Sequence, residues 1–164
     1  MSATGLDVFD KTLQTTNIWL DQIMQEIGPD RKVAWHVLGA TLRVLRDRLM
    51  IGLAANLGSQ MPLLVRGLYY DQWSPAPKPT DLHSADEFLA EVAKSLGDIR
   101  PVNVRDAVRA VFRTIDDHVE RGQIVKVRDA LPKHIRSLWP LEDEAAEPLQ
   151  GATGRDAKAP PVPR

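Results

Sequence analysis

Sliding this chain along itself by 70 positions brings Ala40, Arg43, Asp47, Gly52, Pro62, Arg66 and Leu68 onto Ala110, Arg113, Asp117, Gly122, Pro132, Arg136 and Leu138. These seven identities fall within the 38 pairs from Val33/Asn103 to Tyr70/Pro140, where unrelated sequence gives about two or three. Apolar positions between them also match, among them Leu38/Val108, Leu42/Phe112, Leu45/Ile115, Val65/Ile135 and Tyr69/Trp139. A pattern written twice is expected to be one fold unit used twice. The repeat therefore constrains architecture strongly and chemistry hardly at all.

Helical periodicity dominates each copy, and no alternating strand pattern stands out. In the first copy Phe9, Leu13, Leu20, Ile23 and Ile27 form an apolar stripe with Trp19 close to it, stopped by Gly28-Pro29. Glycine accepts the left-handed cap conformation and proline cannot extend the hydrogen-bond ladder. Asp30 is placed to cap the next helix, whose stripe is Val33, Val37, Leu38, Leu42, Leu45 and Leu49. A short segment from Ile51 to Leu57 follows, closed by Gly58, and Pro62 opens a fourth helix.

The second copy repeats that order. Ser84 and Glu87 have the spacing of a capping box, and Asn103 is the cap of a helix expected to close at Gly122. Two short elements follow, over 124–131 and 132–139. The predicted fold is all-α: two tandem homologous repeats of about four helices each, packed into one bundle-like domain. Residues 9–70 make the first repeat and 84–140 the second. A flexible N-terminus (1–8), a linker at 71–83 stiffened by Pro75, Pro77 and Pro79, and a disordered acidic and proline-rich tail (141–164) complete the chain.

Charge alternates along these units. Residues 1–30 carry a net -4, 31–66 a net +5, 71–99 a net -4 and 100–136 a net +4. Acidic helices lying beside basic ones account for this, as does a basic face meeting an anionic partner. The overall charge of -1 offers no field to recruit nucleic acid or a membrane surface. The absence of cysteine excludes disulfides, thiolate zinc sites and cysteine nucleophiles. No secretory signal and no run of about 20 apolar residues is read in the sequence, so the expected location is cytoplasmic.

The run QMPLLVRGLYYDQW and its echo ALPKHIRSLWP resemble a bacterial family catalogued as domain of unknown function 2267. The opening FDKTLQTTNIWLDQIMQEIGPDRKVAW and the segment RPVNVRDAVRAVF are similar to it as well, so the resemblance runs over about residues 9–140. It implies an all-helical, soluble bacterial domain and transfers no activity to any position. The turn Met50-Ile51-Gly52-Leu53 is more apolar than the polar turn the family leads one to expect, which marks it as a contact surface.

Arg66 and Arg136 each stand four residues after a matched proline. A guanidinium offers five donors in a rigid fork, so the pair is read either as anion-binding or as two structural anchors. Arg43/Asp47 and Arg113/Asp117 have i,i+4 spacing and are read as structural pairs on the two long helices. Tyr70 and Trp73, with Met50, Ile51 and Leu53, are the candidate interaction surface, since aromatics with polar tips favour interfaces.

Asp116, Asp117, His118 and Glu120 look ligand-rich. Adjacent helical residues point about 100° apart, however, and do not converge on one ion. No phosphate-binding loop, nucleophile elbow or zinc motif appears. No catalytic residue, cofactor or metal is assigned. The leading expectation is a protein–protein interaction module whose partner is an unknown protein or a second copy. A nucleic-acid or anion binder using Arg43, Arg46, Arg48, Arg109, Arg113, Lys126, Arg128 and Arg136 is an alternative, with nucleic acid disfavoured by the net charge. A pocket between the repeats, lined by Arg66 and Arg136 and serving a small ligand or an enzyme, is the other.

Overall fold

The computed structural model describes residues 2–74 and 79–140. Eight helices run through these residues: α1 (Asp7–Ile27), α2 (Arg31–Asp47), α3 (Ile51–Ser59), α4 (Leu63–Tyr70), α5 (Ala85–Leu96), α6 (Val104–His118), α7 (Arg121–Ala130) and α8 (Lys133–Arg136). No strand occurs among the described residues. The tail at 141–164 and two of the linker prolines, Pro75 and Pro77, lie outside them.

The caps legible in the sequence are made. The Asp30 carboxylate accepts the Val33 N–H at 3.1 Å, Ser84 Oγ that of Glu87 at 3.1 Å, and Asn103 Oδ1 that of Asp106 at 3.1 Å. Each satisfies a donor with no partner inside its own helix. The α1 helix stops at Ile27, and Gly28, at φ 117°, donates its N–H back to Met24.

Two ends differ from expectation. The α6 helix ends at His118, with Val119 extended, and Gly122 lies in the first turn of α7 rather than closing α6. A side chain of the other half explains the break, because Gln60 Oε1 accepts the Glu120 N–H at 2.8 Å and starts α7 there. The N-terminus, expected to be free over 1–8, is tied down. Helix α1 begins at Asp7, and the Asp10 carboxylate accepts from Thr4 N at 3.1 Å, from Thr4 Oγ1 at 2.8 Å and from Ser2 Oγ. These donors hold the Asp10 carboxyl below its ordinary range, the Ser2 hydroxyl contributing most.

The four long helices form the centre. The α1 helix packs on α6 and α2, while α2 packs on α5 and α6. The α1–α6 and α2–α5 seams are the most extensive, and both join a helix before the linker to one after it. One hydrophobic core accordingly runs from Trp19 to Trp139. Helix α4 lies against α1 and α2, α8 against α5, and α3 meets α7.

Glycine permits two close approaches. A Cβ on Gly39 would stand 2.9 Å from Leu68 Cδ1, and one on Gly58 would stand 2.5 Å from the Tyr70 phenol oxygen. The alternating charge is used across helices. Arg31 reaches Asp21 at 2.7 Å, Arg113 reaches Glu26, and Arg105 approaches Asp86 at 3.9 Å, so basic α2 and α6 lie beside acidic α1 and α5.

Candidate functional site

The aromatic residues expected on a docking face pack on one another. Tyr69 and Tyr70 meet edge to face with centroids 5.0 Å apart, and Tyr70 and Trp73 lie 5.4 Å apart. Tyr69 is buried and its hydroxyl donates to the Ala54 carbonyl at 2.6 Å; that of Tyr70 donates to Ala55 at 3.3 Å. Burial pushes the Tyr69 phenol pKa up. Tyr70, Trp73 and Leu53 are half-buried, while Met50 and Ile51 are exposed at the start of α3. The trio closes the α3–α4 corner, made possible by the missing Cβ of Gly58.

The two matched arginines each clasp the backbone turn before their own helix. Arg66 donates Nε to the Gly58 carbonyl at 3.1 Å and Nη2 to those of Ser59 at 3.1 Å and Met61 at 3.0 Å. Arg136 donates Nη2 to the Asp129 carbonyl at 3.4 Å and to that of Leu131 at 3.1 Å. Ser59/Asp129 and Met61/Leu131 are themselves pairs at the 70-residue offset. Arg66 lines a cleft described below, and Arg136 is not among the residues that line it.

The i,i+4 pairs are made differently from their spacing. The guanidinium that reaches Asp47 is that of Arg46, with Nε at 2.9 Å. Arg113 turns to Glu26, and Asp117 accepts from Gln22 Nε2. Long side chains on α6 reach the neighbouring α1, where the partner helps hold two helices together rather than one.

Arg46 is the residue that sequence reasoning undervalued. It is 2% exposed, and its Nη1 donates to the carbonyls of Tyr69 at 2.7 Å and Asp71 at 2.8 Å, holding the end of α4. Arg48 donates Nε to the Leu82 carbonyl at 2.7 Å. With Arg113 and Arg136, four of the eight arginines and lysines proposed as a nucleic-acid footprint are thus directed at protein groups.

Two adjoining depressions lie along the first half of α1. The first is a groove of about 380 Å³ between α1 and the start of α4, walled by Phe9, Leu13, Leu63 and Leu64 with Gly67 beside them. Phe9 is 49% exposed, Leu13 43% and Leu63 53%, so the first two members of the predicted core stripe are not in the core. They precede the stretch of α1 that α6 covers. Trp19, read as lying beside the stripe, is buried. A signal for the groove was present in the sequence: at the 70-residue offset, Leu63 and Leu64 fall on Lys133 and His134.

The second depression is a cleft of about 410 Å³ between α1, the α3–α4 turn and the end of α6. It shares Thr12 and Leu63 with the groove. Lys11, Thr12, Thr15, Gln60, Arg66 and His118 are its polar walls, and Val8, Trp19, Met61 and Pro62 are apolar ones. His118 stacks on Trp19 with centroids 5.3 Å apart. Gln22 Nε2 donates to Asp117, which leaves Gln22 Oε1 to accept from His118 Nε2 at 3.0 Å. Trp139 Nε1 donates to Asp116 Oδ1 at 2.8 Å. Asp116 therefore faces Trp139 while Asp117 and His118 share the Gln22 amide, and among the described residues no group of three or more His, Asp or Glu is placed to hold a metal ion.

No helix among the described residues is long and apolar enough to cross a membrane. Comparison with curated proteins gives no match. A family model described as an uncharacterized conserved protein, DUF2267, matches residues 16–138, and the chain belongs to that family.

Proposed function

We propose that this protein is a helical protein–protein interaction module that docks through the α1–α4 groove, and that the occupant is a second copy of the chain. The supporting observation is the concentration of large apolar side chains at one place. Phe9, Leu13, Leu63 and Leu64 are exposed there together, with Leu6 and Val8 exposed just before them on the chain. Contiguous apolar surface of this kind marks a contact site.

The shape favours self-association. Phe9 and Leu13 follow one another at helical spacing and make a ridge on α1, beside a concavity next to Gly67. A ridge and a groove on one face suit a two-fold contact, in which each copy offers both. Two further elements belong to this reading. The chain is a duplicated unit, supported by the Arg66 and Arg136 clasps at matched positions. Its location is cytoplasmic, in keeping with a cysteine-free sequence.

Sedimentation velocity over a concentration series tests the proposal. A Cβ on Gly67 meets nothing within 4 Å, so the side chain of Gly67→Leu starts in open space and extends into the groove. Leu13→Glu places a charge on an exposed ridge position. A concentration-dependent dimer that both variants abolish is the expected result. A chain that stays monomeric throughout, or a dimer indifferent to both changes, overturns the placement.

A further inference from the structure

The polar cleft carries an inference independent of self-association. We infer that it binds a small organic anion, a phosphate or carboxylate head on a short apolar body. The inference rests on which hydrogen-bonding capacity the fold leaves unused.

Arg66 engages Nε and Nη2 with backbone carbonyls, and among the described residues its Nη1 has no hydrogen-bond partner. Thr12 Oγ1 accepts the Leu64 N–H at 2.9 Å, so its hydroxyl proton remains to be donated. Gln60 uses Oε1 on the Glu120 N–H, which leaves its amide Nε2 as the open group. Lys11 adds an ammonium, a group with three donors and no acceptor.

The other hydroxyl protons of the cleft are already engaged. Ser59 Oγ donates to the Asn56 carbonyl at 2.7 Å and Thr15 Oγ1 to that of Lys11 at 2.8 Å. No carboxylate lines the cleft among the described residues. The open groups include four donors, two of them cationic, and no anionic acceptor to balance them. A ligand that satisfies them must bring acceptors and negative charge, and charge-assisted bonds of this kind are the strong ones.

The rest of the cleft sets the ligand's other end. Met61, Pro62 and Val8 give it apolar walls over the buried Trp19. A cleft of about 410 Å³ is of the size that encloses a small organic molecule rather than a bare ion. The α3–α4 turn that holds Arg66 is fixed by the same guanidinium, so the donor array exists before the ligand arrives. Preorganisation of this kind lowers the cost of binding.

Phenyl phosphate is the probe, titrated into the full chain and followed by calorimetry and by the amide shifts of Thr12 and Trp19. Single-site binding is expected, weakened about tenfold by Lys11→Glu, the scale of one lost charge-assisted hydrogen bond. Lys11 is exposed, so this change leaves the core untouched, and Lys126→Glu on the exposed face of α7 serves as the control that binds like the parent. Phenol, which lacks the anionic head, is expected not to bind.

No saturable binding of phenyl phosphate up to about 10 mM, the weak end of specific affinities, overturns the inference. Equal binding by Lys11→Glu and the parent, or equal affinity for phenol, overturns it too. Loss of the dimer with retained phenyl phosphate binding leaves the cleft standing and removes only the docking proposal.

Discussion

The two halves of this molecule follow one element order and diverge where they meet solvent. At an offset of 69, α5 over 85–96 matches only residues 16–27 of α1. The first nine residues of α1, Asp7 to Thr15, have no helical counterpart among the described residues. That unmatched stretch supplies Phe9 and Leu13 to the groove and Lys11, Thr12 and Thr15 to the cleft. At the other wall Leu63 and Leu64 replace Lys133 and His134. Residues 16–27 of α1 supply Trp19, Leu20 and Ile23 to the core, and the unmatched stretch before them supplies walls of the groove and the cleft.

Inside the core the halves solve one problem with opposite charges. Where α2 carries Arg46, the matched position on α6 is Asp116. Arg46 holds the end of α4 by two backbone carbonyls and pairs with Asp47. Asp116 holds the corresponding end by accepting from Trp139, the residue matched to Tyr69. Arg46→Ala is therefore expected to be the most damaging single substitution. It removes the charged donor of the Tyr69 and Asp71 carbonyls at a site 2% exposed, at a cost of about 3–5 kcal/mol for two hydrogen bonds to a charged group. Urea unfolding measures it, and a loss no larger than that of an exposed arginine contradicts the clamp.

The glycine asymmetry comes next. Gly58→Ala drives a Cβ to 2.8 Å from Tyr70 Cζ and 2.9 Å from Tyr69 Cε1. Overpacking of this sort costs about 1–3 kcal/mol. The matched position in the second half is Arg128, partly exposed, where truncation to alanine is expected to change stability by about 0.5 kcal/mol or less. Thermal melts of both variants sharpen the comparison, and equal losses erase it.

The paired clasps should then rank by their contacts. Arg66 closes three carbonyls and Arg136 two, one of them long at 3.4 Å. With net values of about 0.5–1 kcal/mol per hydrogen bond, Arg66→Ala is expected to cost about 1.5–3 kcal/mol and Arg136→Ala about 1–2 kcal/mol. The reverse order in denaturant midpoints refutes the reading of these bonds as the arginines' main contribution.

Much of this was legible in the chain. The helix order follows from periodicity and from caps such as Asp30, Ser84 and Asn103, because those signals are local. The anchoring alternative for Arg66 and Arg136 could be stated because each stands four residues after a proline. What the sequence hid depends on which helix lies across the way. Phe9 and Leu13 have the spacing of core residues, yet α1 outruns the helix that buries the rest of its stripe. Arg46 reads like any other arginine on α2 until α4 is placed beside it. The i,i+4 spacing of Arg113 and Asp117 is real, but Glu26 and Gln22 on α1 compete for both and prevail.

The smallest effect carries a sign. Burial raises the Asp116 carboxyl pKa above its ordinary value, opposed by the Trp139 hydrogen bond and by Arg128 and Arg121, with Asp117 adding to the rise. Between the ordinary carboxyl value of about 3.9 and the raised folded value, the folded state binds more protons than the unfolded one. Stability therefore falls as pH rises through that window and stays lower above it. Asp116→Asn removes the charge while keeping an oxygen for Trp139, so it is expected to stabilise the protein at neutral pH. The gain should vanish below about pH 3, where the aspartate is protonated in both states. Melting temperatures of the two chains across pH give the answer. A variant less stable at neutral pH would mean that the Trp139 bond needs a full carboxylate, and that the second half, like the first, relies on a charge to hold its last helix.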